Sequence, residues 1–294
     1  MTPRPTDPPT PSLWTGRRVI SYAHQGGAWE GPSSTLHAIA AALEAGATGI
    51  ELDVHATKDG RLVVCHDATV DRTSVATGAI ASFTYAELAR LDNAYWWAPG
   101  ADVTPGLPDD GYPFRGRAPD DHRFGFALLE EVLEEFAGTV VNLDIKQTAP
   151  VVAPYEEALA DLLRRFDCVD RVIVASFLDT ATDNFSRYAP EFATSAGTLA
   201  TADFYRAVQA GEEPAPMRHA ALQVPVSFGE TTLVDERFVE AAHRLGLAVH
   251  VWTIEEESEM ERLCGLGVDG IFTDRPTALV AVLDHLGCAW TPGA

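Results

Sequence analysis

The sequence predicts an α/β protein folded as a TIM (β/α)8 barrel, on three observations. Eight short runs rich in Val, Ile and Leu alternate with eight longer segments of helical periodicity, the order expected when parallel strands are joined by crossover helices. Several of the helical segments close on Gly, as helices often do. Acidic, basic and histidine side chains recur at the far ends of the apolar runs, where a barrel of this type gathers its loops. A doubly wound open sheet would use the same alternation with fewer strands, but "HQGG" after the first run is not the Gly-x-Gly-x-x-Gly of a dinucleotide site.

Taken in order, "MTPRPTDPPTPSLWTG" (1–16) is rich in Pro and Thr and has no apolar core, so it reads as a disordered leader and not a signal peptide. Residues 17–290 are expected to form one barrel domain. Its strands should begin near Val19, Ile50, Val140, Val172, Ala193, Leu222, Val249 and Gly270. The helical segments between and after them are "TLHAIAAALEAG", "LLEEVLEEFAG", "YEEALADLLRRFD", "TATDNFSRYAP", "ADFYRAVQAG", "DERFVEAAHRLG", "EEESEMERLCGLG" and "PTALVAVLDHLG". Two irregularities interrupt the repeat. "RLVVCHD" (61–67) reads as an extra strand paired with the second in a hairpin that turns at Asp59-Gly60 and carries His66 over the barrel mouth. Residues 92–126, before the third strand, hold too much Pro, Gly and aromatic character for a plain connection and read as a functional loop or small insertion.

At 294 residues and 46% hydrophobic, the chain can bury a large core. Its formal net charge of −22 argues against a surface that grips nucleic acid or an anionic membrane. No apolar run has transmembrane length, so no integral membrane segment is expected. Cys65, Cys168, Cys264 and Cys288 are far apart and match no zinc spacing, which suits a reduced, cytoplasmic protein.

Side chains alternate along a strand, so in "GIELDVHA" the acids Glu51 and Asp53 share one face while Ile50, Leu52 and Val54 share the other. In "VVNLDIK", Asn142, Asp144 and Lys146 likewise share a face. Clustered carboxylates repel unless a cation or water compensates them. An oxygen-rich set with no Cys suits one hard divalent cation, magnesium or calcium, better than zinc. The plainer readings are a solvated strand end for Glu51 and Asp53 and an ordinary salt bridge for Asp144 and Lys146. His24 and His66 stand apart by position. His37, His55, His122, His219, His243, His250 and His285 are expected to be structural.

The stretch from "AHQGGAWEGPSST" through "GIELDVHATKDGRLVVCHD" resembles the glycerophosphodiester phosphodiesterase family, and "LLEEVL", "NLDIK", "VWTI" and "DGIFTDRP" continue the resemblance in order to Pro276. It implies a TIM barrel and metal-dependent hydrolysis of a small-molecule glycerophosphodiester to glycerol 3-phosphate and an alcohol. It assigns catalysis to His24 and His66, metal binding to Glu51, Asp53 and Asp144, and phosphate binding to Lys146. The chain departs from the family pattern at Gln25, where Arg is usual, at Ser33-Ser34 for Glu-Asn, at Asp144 for Glu, and at Glu255 for Asn. Gln25 could still hydrogen-bond a phosphate oxygen, without a charge.

The chemistry expected of this set is charge neutralisation at the phosphoryl group by the cation and Lys146, with His24 as general base and His66 as general acid, or the reverse. Trp252 is expected either to line the pocket for the glycerol or alcohol or to pack in the barrel. Two other functions fit the same residues. One is a phospholipase D-like enzyme acting on lysophospholipid or sphingolipid headgroups, with Tyr95-Trp96-Trp97 meeting lipid; the other is a catalytically inactive phosphate-binding homologue.

Overall fold

The computed structural model describes residues 13–16 and 18–291. Eight parallel strands follow one another: β1 (Ile20–His24), β2 (Gly49–Ala56), β3 (Val140–Ile145), β4 (Val172–Ala175), β5 (Ala193–Thr194), β6 (Ala221–Pro225), β7 (Ala248–Trp252) and β8 (Gly270–Thr273). They alternate with α1 (Leu36–Glu44), α2 (Leu129–Glu135), α3 (Glu156–Arg165), α4 (Asp179–Tyr188), α5 (Thr198–Ala210), α6 (Glu236–Arg244), α7 (Glu257–Leu266) and α8 (Pro276–Leu286). Hydrogen bonding orders the sheet β5-β4-β3-β2-β1-β8-β7-β6. The ring closes where Ala220 N–H donates to Thr194 O at 2.8 Å and Ala196 N–H to Ala221 O at 3.0 Å. The fold is the expected TIM barrel, and the open-sheet alternative is excluded.

Strand alternation builds two separate cores. Ile50, Leu52, Val54, Val141, Leu143 and Ile145 point outward and pack with Ile39 of α1, Leu129 of α2 and Leu163 of α3. Burying each such side chain is worth about 1.5–3 kcal/mol. The opposite faces fill the barrel: Ile20, Tyr22, Val140, Ile173, Ala221, Ala248 and Phe272 cluster inside it. Gly270 is required there, because a Cβ would lie 2.9 Å from both the Tyr22 ring and the His250 ring. Above this apolar layer lies a polar one, in which Gln223 Nε2 donates to Asn142 Oδ1 at 2.7 Å and lies 3.2 Å from His250 Nδ1.

Residues 1–12, most of the expected leader, and Arg17 lie outside the described residues. The last four leader residues differ from the expectation. Trp14 is buried against the interior cluster and Gly16 N–H donates to Asp269 Oδ1, because an apolar indole covers the barrel floor better than water does. Trp290 packs on the same floor from the other end of the described chain.

Both irregularities of the repeat are present. Leu62–Val64 pairs antiparallel with the end of β2, Val54 opposite Val64, after a turn in which Gly60 takes φ +76°. Residues 92–126 contain a small hairpin, Trp97–Ala98 with Ala101–Val103, and a packed aromatic cluster. Trp97 stacks on Phe114, and the Arg115 guanidinium lies over Tyr95, Trp96 and Tyr112. Among the described residues, no helix is long and apolar enough to cross a membrane.

Candidate active site

The interior faces of β1, β2 and β3 end in charge. The register sets Asp53 beside Asp144 on adjacent strands, a like-charge pairing that demands a cation. Lys146, just beyond β3, supplies one: its Nζ lies 2.7 Å from Asp53 Oδ1 and 3.0 Å from Asp144 Oδ2. Burial opposes the ammonium, but Asp53, Asp144 and Glu51 more than compensate and raise its pKa. One positive charge is too few for three carboxylates. Burial and the Asp53 charge push the Glu51 carboxyl up to about 8, and burial raises Asp144 as well.

His24 closes β1. The turn after it is unusual: Gln25, Gly26 and Gly27 all have positive φ, at 52°, 84° and 92°. Gly27 is needed on a second count, since a Cβ there would lie 2.8 Å from Pro276 Cγ. The turn holds β1 against the start of α8, where His24 Nδ1 meets Asp274 Oδ1 at 2.7 Å. The other ring nitrogen lies 3.8 Å from Glu51 Oε2 and 3.3 Å from the Gln25 amide nitrogen. Burial pulls the His24 pKa down, but Asp274, Glu51 and Asp53 together push it up to about 9. The surrounding carboxylates thus favour the imidazolium form of His24.

His66 reaches the same mouth from the hairpin, and its ring centroid lies 6.4 Å from that of His24. Its Nδ1 lies 2.6 Å from Asp67 Oδ1. Burial works against the Asp67 charge, yet the bonds to His66 and Arg72 hold its pKa at about 2, so Asp67 only accepts. The proton of neutral His66 thus sits on Nδ1, leaving Nε2 as the free lone pair. Of the two orders left open by the sequence, the hydrogen-bond partners favour the one in which His24, held by Asp274, carries the extra proton.

The remaining expected site residues fall nearby. Trp252 ends β7, and its ring meets Phe177 edge-on at 5.5 Å. Phe177 is exposed, with Lys146 Nζ 5.9 Å from its ring centroid. Gln25 is buried, its N–H donating to Glu51 Oε2 at 3.1 Å and its Oε1 without a partner. Sequence reasoning missed Asp274, Asp67 and Phe177. Asp274 stands one residue past the end of the last strand and His24 at the end of the first, so the rule that found one could have found the other. Six of the remaining histidines have packing or hydrogen-bond roles with Phe114, His66, Glu131, Thr194, Asp269 and Gln223, and His285 is exposed on α8.

The donor chemistry suits a hard cation. Glu51, Asp53 and Asp144 are buried carboxylates, and Asp53 Oδ2 and Asp144 Oδ1 accept no hydrogen bond. Among the described residues, however, no three His, Cys, Asp or Glu side chains are gathered at metal-binding spacing. The Lys146 ammonium does between Asp53 and Asp144 part of the neutralising that the sequence assigned to an ion.

The sequence profile of the Glycerophosphoryl diester phosphodiesterase family matches residues 24–278. The chain is 31% identical over 272 residues to a glycerophosphodiester phosphodiesterase of Caldanaerobacter subterraneus subsp. tengcongensis, covering 90% of this chain and 97% of that one. A glycerophosphoryl diester phosphodiesterase domain from Mycobacterium tuberculosis superposes with a TM-score of 0.75 at 20% identity, over 91% of this chain and 99% of that one. An Oleispira antarctica phosphodiesterase, solved in complex with the product sn-glycerol-3-phosphate, superposes with a TM-score of 0.69 at 23% identity, over 91% and 97%.

Proposed function

Because this chain belongs to the glycerophosphoryl diester phosphodiesterase family, we propose that it is a glycerophosphodiester phosphodiesterase that releases glycerol 3-phosphate and an alcohol by acid–base catalysis between His66 and His24. The observation that carries the reading is the edge-on approach of these two rings, 6.4 Å between centroids, with His24 held by Asp274 to donate and His66 oriented by Asp67 to accept. In the first step, His66 Nε2 takes the proton from the glycerol hydroxyl next to the phosphate as that oxygen attacks phosphorus. His24 gives its proton to the alkoxide that leaves. Water then reopens the cyclic phosphodiester, with His24, now neutral, and His66, now protonated, exchanging roles. Lys146 holds a phosphoryl oxygen by charge throughout, and Phe177 and Trp252, packed edge-on beside Lys146, would bound the pocket for the glycerol or the alcohol.

Glu51, Asp53 and Asp144 would hold one magnesium or calcium ion. When bound, the ion would supply charge neutralisation at the phosphoryl oxygens. The excess of carboxylate over Lys146 and the unpartnered oxygens support this part of the reading. Free thiols at Cys65, Cys168, Cys264 and Cys288 support a cytoplasmic location. The lipid-headgroup alternative finds no support in the insertion, whose Tyr95, Trp96 and Trp97 are engaged with Arg115 and Phe114.

Phosphorus NMR tests the proposal, with a panel of glycerophosphodiesters and lysophospholipids incubated with and without chelator. We expect glycerol 3-phosphate from the glycerophosphodiesters, loss of turnover in chelator and recovery with magnesium or calcium. Asp53→Asn should remain folded and lose activity. Full turnover in excess chelator would remove the metal, and no glycerol 3-phosphate from any diester would remove the activity.

A further inference from the structure

The insertion carries an aspartate that reaches the second histidine. Asp102 lies on the small hairpin, and its Oδ2 pairs with Arg72 Nη1. Arg72 Nε donates to Asp67 Oδ2 at 2.7 Å, and the other oxygen of Asp67 holds His66 Nδ1 at 2.6 Å. The chain Asp102–Arg72–Asp67–His66 thus runs unbroken from the insertion to the ring. Its members are only partly exposed: Asp102 by 32%, Arg72 by 27%, Asp67 by 28% and His66 by 37%.

Each link has a physical consequence. A carboxylate one residue from the histidine it serves can rotate about two torsions, and the rigid guanidinium fork of Arg72 removes that freedom by fixing Asp67 Oδ2. An arginine held by one carboxylate alone could swing. Asp102 holds its far nitrogen, and the hairpin that carries Asp102 is itself fastened. Trp97 Nε1 donates to Ala28 O at 2.8 Å, Gly100 N–H to Trp29 O at 2.9 Å and Trp96 Nε1 to Ser74 O at 3.0 Å. Ala28 and Trp29 lie on the loop that follows His24, and Ser74 on the loop that follows His66. The hairpin therefore ties together the two loops that bear the histidines. Burial without full pairing is costly, and Asp102 Oδ1 accepts no hydrogen bond. Such an oxygen is poor design for a surface flap and is tolerable where the carboxylate's other oxygen has a task.

We infer that Asp102 is a positioning residue for the phosphodiesterase reaction, acting through Arg72 and Asp67 to hold the His66 ring and its tautomer, and that the 92–126 insertion serves catalysis by delivering it. The inference rests on the reading of His66 as the base. The experiment combines steady-state kinetics on glycerophosphocholine with nitrogen-15 NMR of the histidine rings, in the full chain. Asp102→Asn keeps the volume and loses the charge. It should lower kcat about 10-fold with KM nearly unchanged, and the His66 nitrogen shifts should move from a single Nδ1-protonated tautomer toward a mixture. Asp102→Glu should recover part of both. Arg72→Lys, which keeps the charge and loses the fork, should reproduce the Asp102→Asn spectrum and carries the test should Asp102→Asn not fold. A fall in kcat with unchanged His66 shifts would make Asp102 a support of the insertion only and overturn the inference, as would unchanged kcat and unchanged shifts. Moved shifts in an enzyme whose His66→Ala variant keeps full activity would instead overturn the reading of His66 as the base, and with it the part of Asp102 in the reaction, leaving only its hold on the ring.

Discussion

Asp274 and Gln25 each meet one nitrogen of the His24 ring. Asp274 is the largest of the influences that raise the His24 pKa, so Asp274→Asn should let it fall from about 9 back toward the ordinary imidazole range. The acid form is then lost at lower pH. The alkaline limb of the kcat/KM profile should shift to lower pH while the acid limb stays, and an unmoved alkaline limb would take the proton-donor role away from His24. Gln25 places a neutral amide 3.3 Å from the His24 nitrogen. An arginine there would set a second cation against an imidazolium and compete for Glu51. Gln25→Arg should therefore lower kcat/KM by about tenfold, the equivalent of 1.4 kcal/mol, and Gln25→Ala should cost less; a gain in Gln25→Arg would place the residue on the phosphate instead. The convergence of Glu51, Asp53, Asn142, Asp144 and Lys146 was legible because strand side chains repeat every second residue. Asp102 was not, because a loop has no period to read and its partner lies 30 residues away.

At the scale of elements, β7 buries a titratable group that no catalytic step uses. His250 is fully buried, and desolvation lowers its pKa to about 4. The unfolded chain takes up that proton near 6.5. Its neutral form thus contributes stability in full above pH 6.5, and the contribution is lost as pH falls toward 4. His250→Asn should lower stability at neutral pH through the lost ring, yet flatten the decline between pH 6.5 and 4, as read from urea midpoints across that range. A decline as steep as that of the wild type would mean that other groups, His219 among them, dominate. The order of strands and helices was legible down to the two-residue β5, because a crossover repeat leaves few other arrangements for eight such runs. The interior of the insertion was not. Its order depends on Arg115 meeting Tyr95, Trp96 and Tyr112, contacts that composition announces as aromatic but does not pair.

For the molecule as a whole, a net charge of −22 opposes the approach of an anionic diester. Screening should relieve that repulsion, so kcat/KM should rise as sodium chloride goes from about 10 mM to about 150 mM, over which the Debye length falls from about 30 Å to about 8 Å. A monotonic fall would show that the local charge of Lys146 governs capture from a distance. The floor of the barrel has a different use. Val19 N–H donates to Cys288 O at 2.8 Å and Trp290 N–H to Val19 O at 3.0 Å, so both ends of the described chain meet beside Trp14, on the side away from His24 and His66. A support coupled at Trp14 or Trp290, within the described residues, would stand a barrel's depth from His24 and His66. Tethering there should leave turnover intact on a solid surface, and coupling through a cysteine placed at exposed Phe228, on the loop that follows β6, would turn the entrance toward the support and starve it.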